Sequence, residues 1–173
     1  MKTLETERLK LRAVTENDIQ AIFENWASDP EVTKFMTWNP HKSTEDTRMI
    51  MDYWLSEYAK PDCYRYGMEL KSDGTLIGMI DVVGKDDDGA PVIGYVEGRK
   101  YWGRGYMTEA LKAVAAELLE NGYKKIKIEA HDENKASNRV IQKAGFTYTE
   151  SRNEPLSPVK PDMATINTYY MEK

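Results

Sequence analysis

One stretch limits what this chain can fold into more than any other. It runs Tyr95-Val96-Glu97-Gly98-Arg99-Lys100-Tyr101-Trp102-Gly103-Arg104-Gly105-Tyr106-Met107-Thr108-Glu109-Ala110. It reads as the end of a strand, a cationic loop with glycines, and the start of a helix. The first N–H groups of a helix have no internal partner, and the helix dipole puts partial positive charge there. Glycines let an anion reach the backbone without a Cβ in the way. Arg99, Lys100 and Arg104 add formal charge, so the expected guest is a phosphate or pyrophosphate. A Gly-x-Gly pair alone also serves ordinary strand-to-helix turns.

A second segment narrows the reading. Asn134-Lys135-Ala136-Ser137-Asn138-Arg139-Val140-Ile141-Gln142-Lys143-Ala144-Gly145-Phe146 follows another strand and opens another helix. Near the N-terminus stands Glu5-Thr6-Glu7-Arg8-Leu9-Lys10-Leu11-Arg12, followed by Glu16-Asn17-Asp18. Together these segments resemble the GNAT superfamily of acyl-CoA-dependent N-acyltransferases, in its RimJ/RimL-like subgroup. The resemblance runs from the first strand to at least Phe146. It implies one GNAT domain over residues 1–173, of α/β (α+β) class, with a mixed, mostly antiparallel central sheet flanked by helices. It also implies that the fourth and fifth strands splay to form a coenzyme A cleft, with acetyl-CoA as acyl-donor cosubstrate.

The chain has 173 residues, enough for one domain with a core, and a formal net charge of −5. An acidic surface argues against direct nucleic-acid binding, which needs a basic footprint. The single cysteine, Cys63, has no internal partner for a disulfide, which fits a reducing compartment. No apolar run is long enough to span a bilayer, and the first twenty residues are too charged for a signal peptide. The expectation is a soluble, cytoplasmic protein without a membrane partner, monomeric or homodimeric. His41 and His131 lie far apart, and no Cys/His cluster has ligand spacing, so no metal is expected.

Alternation at Leu9, Leu11 and Ala13 predicts a first strand. Thr15, with Asp18 at the capping-box position, predicts a helix from Glu16 to about Ser28, ended by Asp29-Pro30. Ser43 or Thr44 caps a helix to about Tyr58. Strands are predicted over 64–70, 76–83 and 91–97, the first two joined by Ser72-Asp73-Gly74. A helix from about Thr108 to Asn121 ends at Gly122. A strand over 124–130 and a helix from Ser137 to Lys143 follow. Phe146 to Ser151 and Ile166 to Met171 form a last antiparallel pair, with an exposed, proline-bearing loop (Pro155, Pro158, Pro161) between them.

Acyl transfer to an amine needs a neutral amine, donors for the oxyanion and a proton for the departing thiolate. Glu97, at the end of the fourth strand, is the first candidate for a base acting through water. Glu129 and His131, on one side of the fifth strand, are the second candidates. All three also fit a solvated polar face. By resemblance, Ser137 serves the leaving thiolate, although a serine there would also cap the helix. The tyrosine that many relatives carry one turn further on is absent, since Val140 and Ile141 stand there. Asn134 matches the asparagine that meets the pantetheine arm. Trp102, Gly103, Arg104, Gly105, Tyr106, Met107 and Thr108, with Lys100, match the pyrophosphate loop, and the Val96 backbone is placed to pair with the pantetheine amide. Trp26, Trp38, Trp54 and Tyr53 fall in the substrate wall, with Trp38 singled out for contact.

The leading reading is an enzyme that moves an acetyl group from acetyl-CoA to a primary amine by direct attack in a ternary complex. The acceptor is a protein N-terminus or an amine-bearing small molecule. A dinucleotide-binding domain fits poorly, because Thr108 replaces its third glycine and hairpins precede the loop. A non-catalytic acyl-CoA-binding sensor shares the same loop and remains open.

Overall fold

The computed structural model describes residues 1–173 and contains one eight-stranded sheet. Its strands are β1 (Leu4–Glu5), β2 (Leu9–Arg12), β3 (Arg65–Leu70), β4 (Leu76–Lys85), β5 (Pro91–Glu97), β6 (Lys125–His131), β7 (Thr147–Ser157) and β8 (Lys160–Glu172), in spatial order β1-β2-β3-β4-β5-β6-β8-β7. All neighbours are antiparallel except β5 and β6, which run parallel across a helical crossover. The parallel contact is short: only Val92 faces Lys127 and Ile93 faces Ile128. Beyond Ile93 the strands part, which is the expected splay; the extra short strand β1 shifts the numbering by one.

The helices are α1 (Ile19–Ile22), α2 (Pro30–Thr33), α3 (Thr44–Glu57), α4 (Tyr106–Glu120) and α5 (Lys135–Lys143). The predicted helix from Glu16 to Ser28 is one winding with three pitches. A tight turn at Glu16–Asp18 leads into α1 and then a wide π-turn over Phe23–Ala27, where Ser28 N–H donates to Phe23 C=O at 3.1 Å. The Thr15–Asp18 capping box is present, and so is one at Ser43–Asp46. Asp29 ends the first winding and caps α2, accepting from Glu31 N–H at 2.9 Å.

The sheet separates two apolar layers. On one face α4 buries Ala110, Leu111, Val114, Ala115 and Leu118 against Ile77, Ile80, Ile126 and Ile128. Each large apolar side chain so buried contributes about 1.5–3 kcal/mol. On the other face Ile22, Trp26 and Met51, from the helices before β3, pack on Leu76 and Met79. A bulge at Ile77, opposite Met68 and Glu69, lets Leu76 and Met79, three residues apart, face the same layer. From there strict alternation turns Met79, Asp81 and Val83 toward the helices α1–α3.

Two expectations are corrected at the C-terminal end. The proline-bearing segment is not a loop: β7 and β8 continue to Ser157 and Lys160 as one long hairpin. Pro155 is tolerated because β7 is the sheet's outer strand, where a missing N–H need not break a ladder. Helix α5 begins at Lys135 rather than Ser137, with Asn134 as its cap.

Candidate active site

Where β5 and β6 part, a cleft of about 590 Å³ opens. Its floor is the α1–α3 face of β3, β4 and β5, and its walls are aromatic: Trp26, Phe35, Trp38, Tyr53 and Trp54. The four aromatics expected in the substrate wall all line this cleft. Tyr95, Asn134 and Ser137 line the end nearest α5.

The anion loop stands at the end of β5. A single tight turn, Arg99–Tyr101, precedes it. Gly103 and Gly105 have φ of +75° and +83°, a region L side chains rarely adopt. They turn the chain so that α4 begins at Tyr106, two residues earlier than predicted. The first bond to close in α4 is Glu109 N–H to Gly105 C=O at 3.1 Å. The N–H groups of Tyr106, Met107 and Thr108 therefore precede the hydrogen-bonded ladder. Lys100, Trp102 and Arg104 are exposed around this loop, whereas the Met107 side chain is buried in the core. The Trp102 indole N–H donates to Glu97 C=O at 2.7 Å. Arg99, in contrast, is paired with Asp29 at 3.0 Å.

A clamp that the sequence reading passed over holds this loop in place. Glu109, in the first turn of α4, accepts from Arg8 N–H at 2.8 Å and from Arg8 Nε at 2.7 Å, and it also bonds Thr6 Oγ1. Arg8 Nη1 donates to Arg104 C=O at 2.9 Å, and the guanidinium lies 4.5 Å from the Tyr106 ring centroid. The signal was already in Thr6-Glu7-Arg8, which was read only as a mark of resemblance.

The backbone available in the gap differs from the expectation for Val96. Gly98 N–H donates to Ile77 C=O at 2.8 Å, and Gly78 lies directly under Val96 C=O. Alternation along β5 therefore turns the Val96 polar groups toward β4 and those of Tyr95 and Glu97 toward the gap. Val96 meets the cleft through its side chain.

Near α5, Asn134 Oδ1 accepts from Ser137 N–H at 3.1 Å and so caps the helix. This corrects the alternative reading of Ser137 as the cap and leaves its hydroxyl free for another partner. That partner is the Tyr95 hydroxyl, 2.7 Å from Ser137 Oγ. Tyr95 comes from β5, so no sequence spacing connected the two. Burial pushes the Tyr95 phenol well above its usual range, against the pull of the Ser137 bond.

The acid–base candidates separate. Glu97 is not among the cleft-lining residues; its Oε1 is buried without a partner, and burial pushes its carboxyl up to about 7, with Arg104 pulling weakly the other way. Glu129 lines the cleft but is occupied, by Arg152 Nη1 at 2.7 Å and Lys127 at 2.6 Å. These two partners outweigh burial and hold its carboxyl below the usual range. The His131 ring lies across Phe35, with centroids 5.0 Å apart, and its Nδ1 accepts from Glu133 N–H at 3.1 Å. Cys63 lies outside the cleft, and burial raises its thiol pKa. No cluster of three metal-ligating side chains occurs, and no helix is long and apolar enough to cross a membrane.

The comparisons with known proteins agree with this geometry. The family model for the acetyltransferase (GNAT) domain matches residues 8–147. An uncharacterized N-acetyltransferase of Bacillus licheniformis, p20, is 32% identical over 160 residues, covering 84% of this chain and 83% of that protein. A second, YoaA of Bacillus subtilis strain 168, is 30% identical over 145 residues, covering 83% and 81%. Among solved structures, the ribosomal L7/L12 α-N-protein acetyltransferase RimL in complex with coenzyme A superposes with a TM-score of 0.86 at 20% identity, over 99% of this chain and 98% of that one. The microcin C7 self-immunity acetyltransferase MccE, in complex with acetyl-CoA and AMP, gives 0.86 at 17% identity, over 97% and 94%. At such identities the structural likeness speaks for the fold. The chain belongs to the GNAT acetyltransferase family.

The residues present suit an acyl-CoA. The loop offers N–H groups outside any ladder together with unpaired Lys100 and Arg104, and the gap offers the strand edge of Tyr95 and Glu97. The Ser137 hydroxyl lines the cleft beside these two features.

Proposed function

We propose that this chain is an acetyl-CoA-dependent N-acetyltransferase whose acceptor is a primary amine, working by direct attack in a ternary complex. The observation that carries the reading is the interrupted β5–β6 pairing, flanked by the anion loop on one side and the Tyr95–Ser137 hydroxyl pair on the other. Acetyl-CoA supplies a thioester, whose acyl carbon takes the amine and whose sulfur departs. Tyr106, Met107 and Thr108 N–H, with Lys100 and Arg104, hold the pyrophosphate; Asn134 and the Tyr95–Glu97 edge hold the pantetheine arm. Ser137, backed by Tyr95, donates to the departing sulfur. Glu97 takes the amine proton through water, since its carboxyl, held up at about 7, is divided between its two states at neutral pH. An α-amine, with a pKa of about 7.7–8.0, needs only modest help of this kind, less than a lysine amine at about 10.4.

Thermal melts with acetyl-CoA, CoA, desulfo-CoA and NAD⁺ test the reading. A ligand at one hundred times its Kd adds about 2.7 kcal/mol of stability, so the CoA species raise Tm and NAD⁺ does not. Thiol release on mixing acetyl-CoA with a panel of amines and peptides then reads turnover. Binding of acetyl-CoA with no transfer to any amine would mean a sensor instead, and no shift with any CoA species would end the acyltransferase reading.

A further inference from the structure

We infer that the far end of the cleft is a carboxylate-binding subsite built on Arg65. The acceptor is then a small molecule with an amine at one end of an apolar body and a carboxylate at the other. This rests on the reading of the cleft as the acceptor pocket.

Arg65 is the only lysine or arginine lining the cleft, and it is 8% exposed. Its side chain makes one hydrogen bond, Nε to Asp81 Oδ2 at 3.0 Å, while Nη1 is sealed from solvent and has no partner. A guanidinium carries five N–H donors, and leaving buried donors unpaired is costly. Two other arginines show what this geometry holds when it is complete. Arg12 gives Nε to Glu69 and grips Asp18 with Nη1 and Nη2 at 2.8 and 2.9 Å. Arg152 likewise serves two carboxylates, Glu154 and Glu129. Arg65 has the first carboxylate, Asp81, and no second one from the protein.

The surroundings select the guest. The Tyr53 and Trp54 ring centroids lie 5.9 and 5.7 Å from the guanidinium carbon. One guanidinium already shared with Asp81 suits a monoanionic carboxylate, which takes a charge-assisted bond from a terminal nitrogen, better than a dianionic phosphate in an apolar cleft. Position sets the length of the guest. Arg65 faces Asp81 across β3–β4, and Asp81 faces Gly94 across β4–β5. Arg65 thus stands two strand spacings, roughly 10 Å, from the strand that borders the gap. Gly94 adds no side chain there, and the Val83 side chain packs over it and lines the path. A carboxylate at Arg65 sends the amine along the aromatic walls toward Ser137.

Titration calorimetry on the full chain with 3-phenylpropionate, 3-phenylpropionamide and phenylphosphonate tests the site without requiring turnover. The carboxylate is expected to bind at least about tenfold more tightly than the amide, the scale of one charge-assisted bond. Arg65→Gln abolishes that preference and Arg65→Lys keeps part of it. Equal binding of acid and amide by the unsubstituted protein overturns the proposal, as does a preference that survives in Arg65→Gln. Tighter binding of the phosphonate overturns the carboxylate assignment. In turnover, 4-(aminomethyl)benzoate should exceed its amide in kcat/KM by a similar factor. If no CoA species raises Tm but the acid still binds preferentially, the acyltransferase reading falls and the Arg65 site stands.

Discussion

Ser137 Oγ lies 2.7 Å from the Tyr95 hydroxyl, joining the first helical turn after β6 to the strand on the far side of the gap. The pair puts two hydroxyls at the α5 end of the cleft. Ser137→Ala is expected to lower kcat by about 10²-fold, the low end for a lost proton donor, with KM for acetyl-CoA within a few-fold. Tyr95→Phe leaves the serine and should cost less. Steady-state kinetics of both variants check this; equal and negligible effects would assign proton donation to solvent.

Glu97 gives a pH prediction with a definite sign. Its carboxyl is raised from 4.5 to about 7 by burial. As a base it is inactive when protonated, so kcat/KM should fall below pH about 7, and Glu97→Gln should remove that limb. Stability moves the other way: the folded state prefers the protonated form. The wild type therefore loses stability as pH rises from about 4.5 to about 7, by up to about 3 kcal/mol, and is level above that. Urea melts of wild type and Glu97→Gln across this range should show the variant gaining on the wild type, with most of the gain complete by neutral pH.

Gly105 and Gly84 form a matched test of the anion loop. Gly105→Ala forces an alanine to φ +83°, costing about 1–2 kcal/mol and lowering CoA affinity at least tenfold in calorimetry. At Gly84 φ is ordinary and a Cβ meets nothing within 4 Å, so Gly84→Ala should change stability by less than about 0.5 kcal/mol and leave CoA binding alone.

The Glu109 clamp should show itself in stability and in affinity. Glu109→Ala removes three acceptor bonds and should cost about 2 kcal/mol in denaturant melts, while weakening CoA binding because Arg8 no longer steadies the loop. Burial works against the Glu109 charge, but Thr6 and Arg8 win and hold its carboxyl below the usual range. The clamp's contribution is then present above the ordinary carboxylate pKa and lost as pH falls through the folded value. The gap between wild type and Glu109→Gln should narrow in acid.

Much of this arrangement was legible where local chemistry decides it. Thr15–Asp18 and Ser43 or Thr44 announced helix starts, Gly74 and Gly122 announced turns, and alternation at Leu9 and Leu11 announced a first strand. The glycine loop, with the Asn134–Phe146 segment, announced the fold. What escaped was decided by partners distant in sequence. Pro155 and Pro161 argue locally for a loop, yet register with β8 carries them in strands. Ser137 looks like a cap until Asn134 takes that place. Tyr95 meets Ser137, and Arg65 meets Asp81, only once the sheet is assembled. Glu129 passed for a base because Arg152, from a strand later in the chain, could not be seen to neutralise it.

The outer strands have a consequence for how this protein behaves at high concentration. A sheet rim with free N–H and C=O groups is a template on which copies can polymerise. Here one rim, β1, is two residues long, and the other, β7, carries Glu150, Arg152, Glu154 and Pro155 in its length. Neither suits the flat, repeating contact that fibrils need. The one strand edge left open to a visitor is the inner one, between β5 and β6, where the ladder stops at Ile93 and both strands are held in the sheet on their other sides.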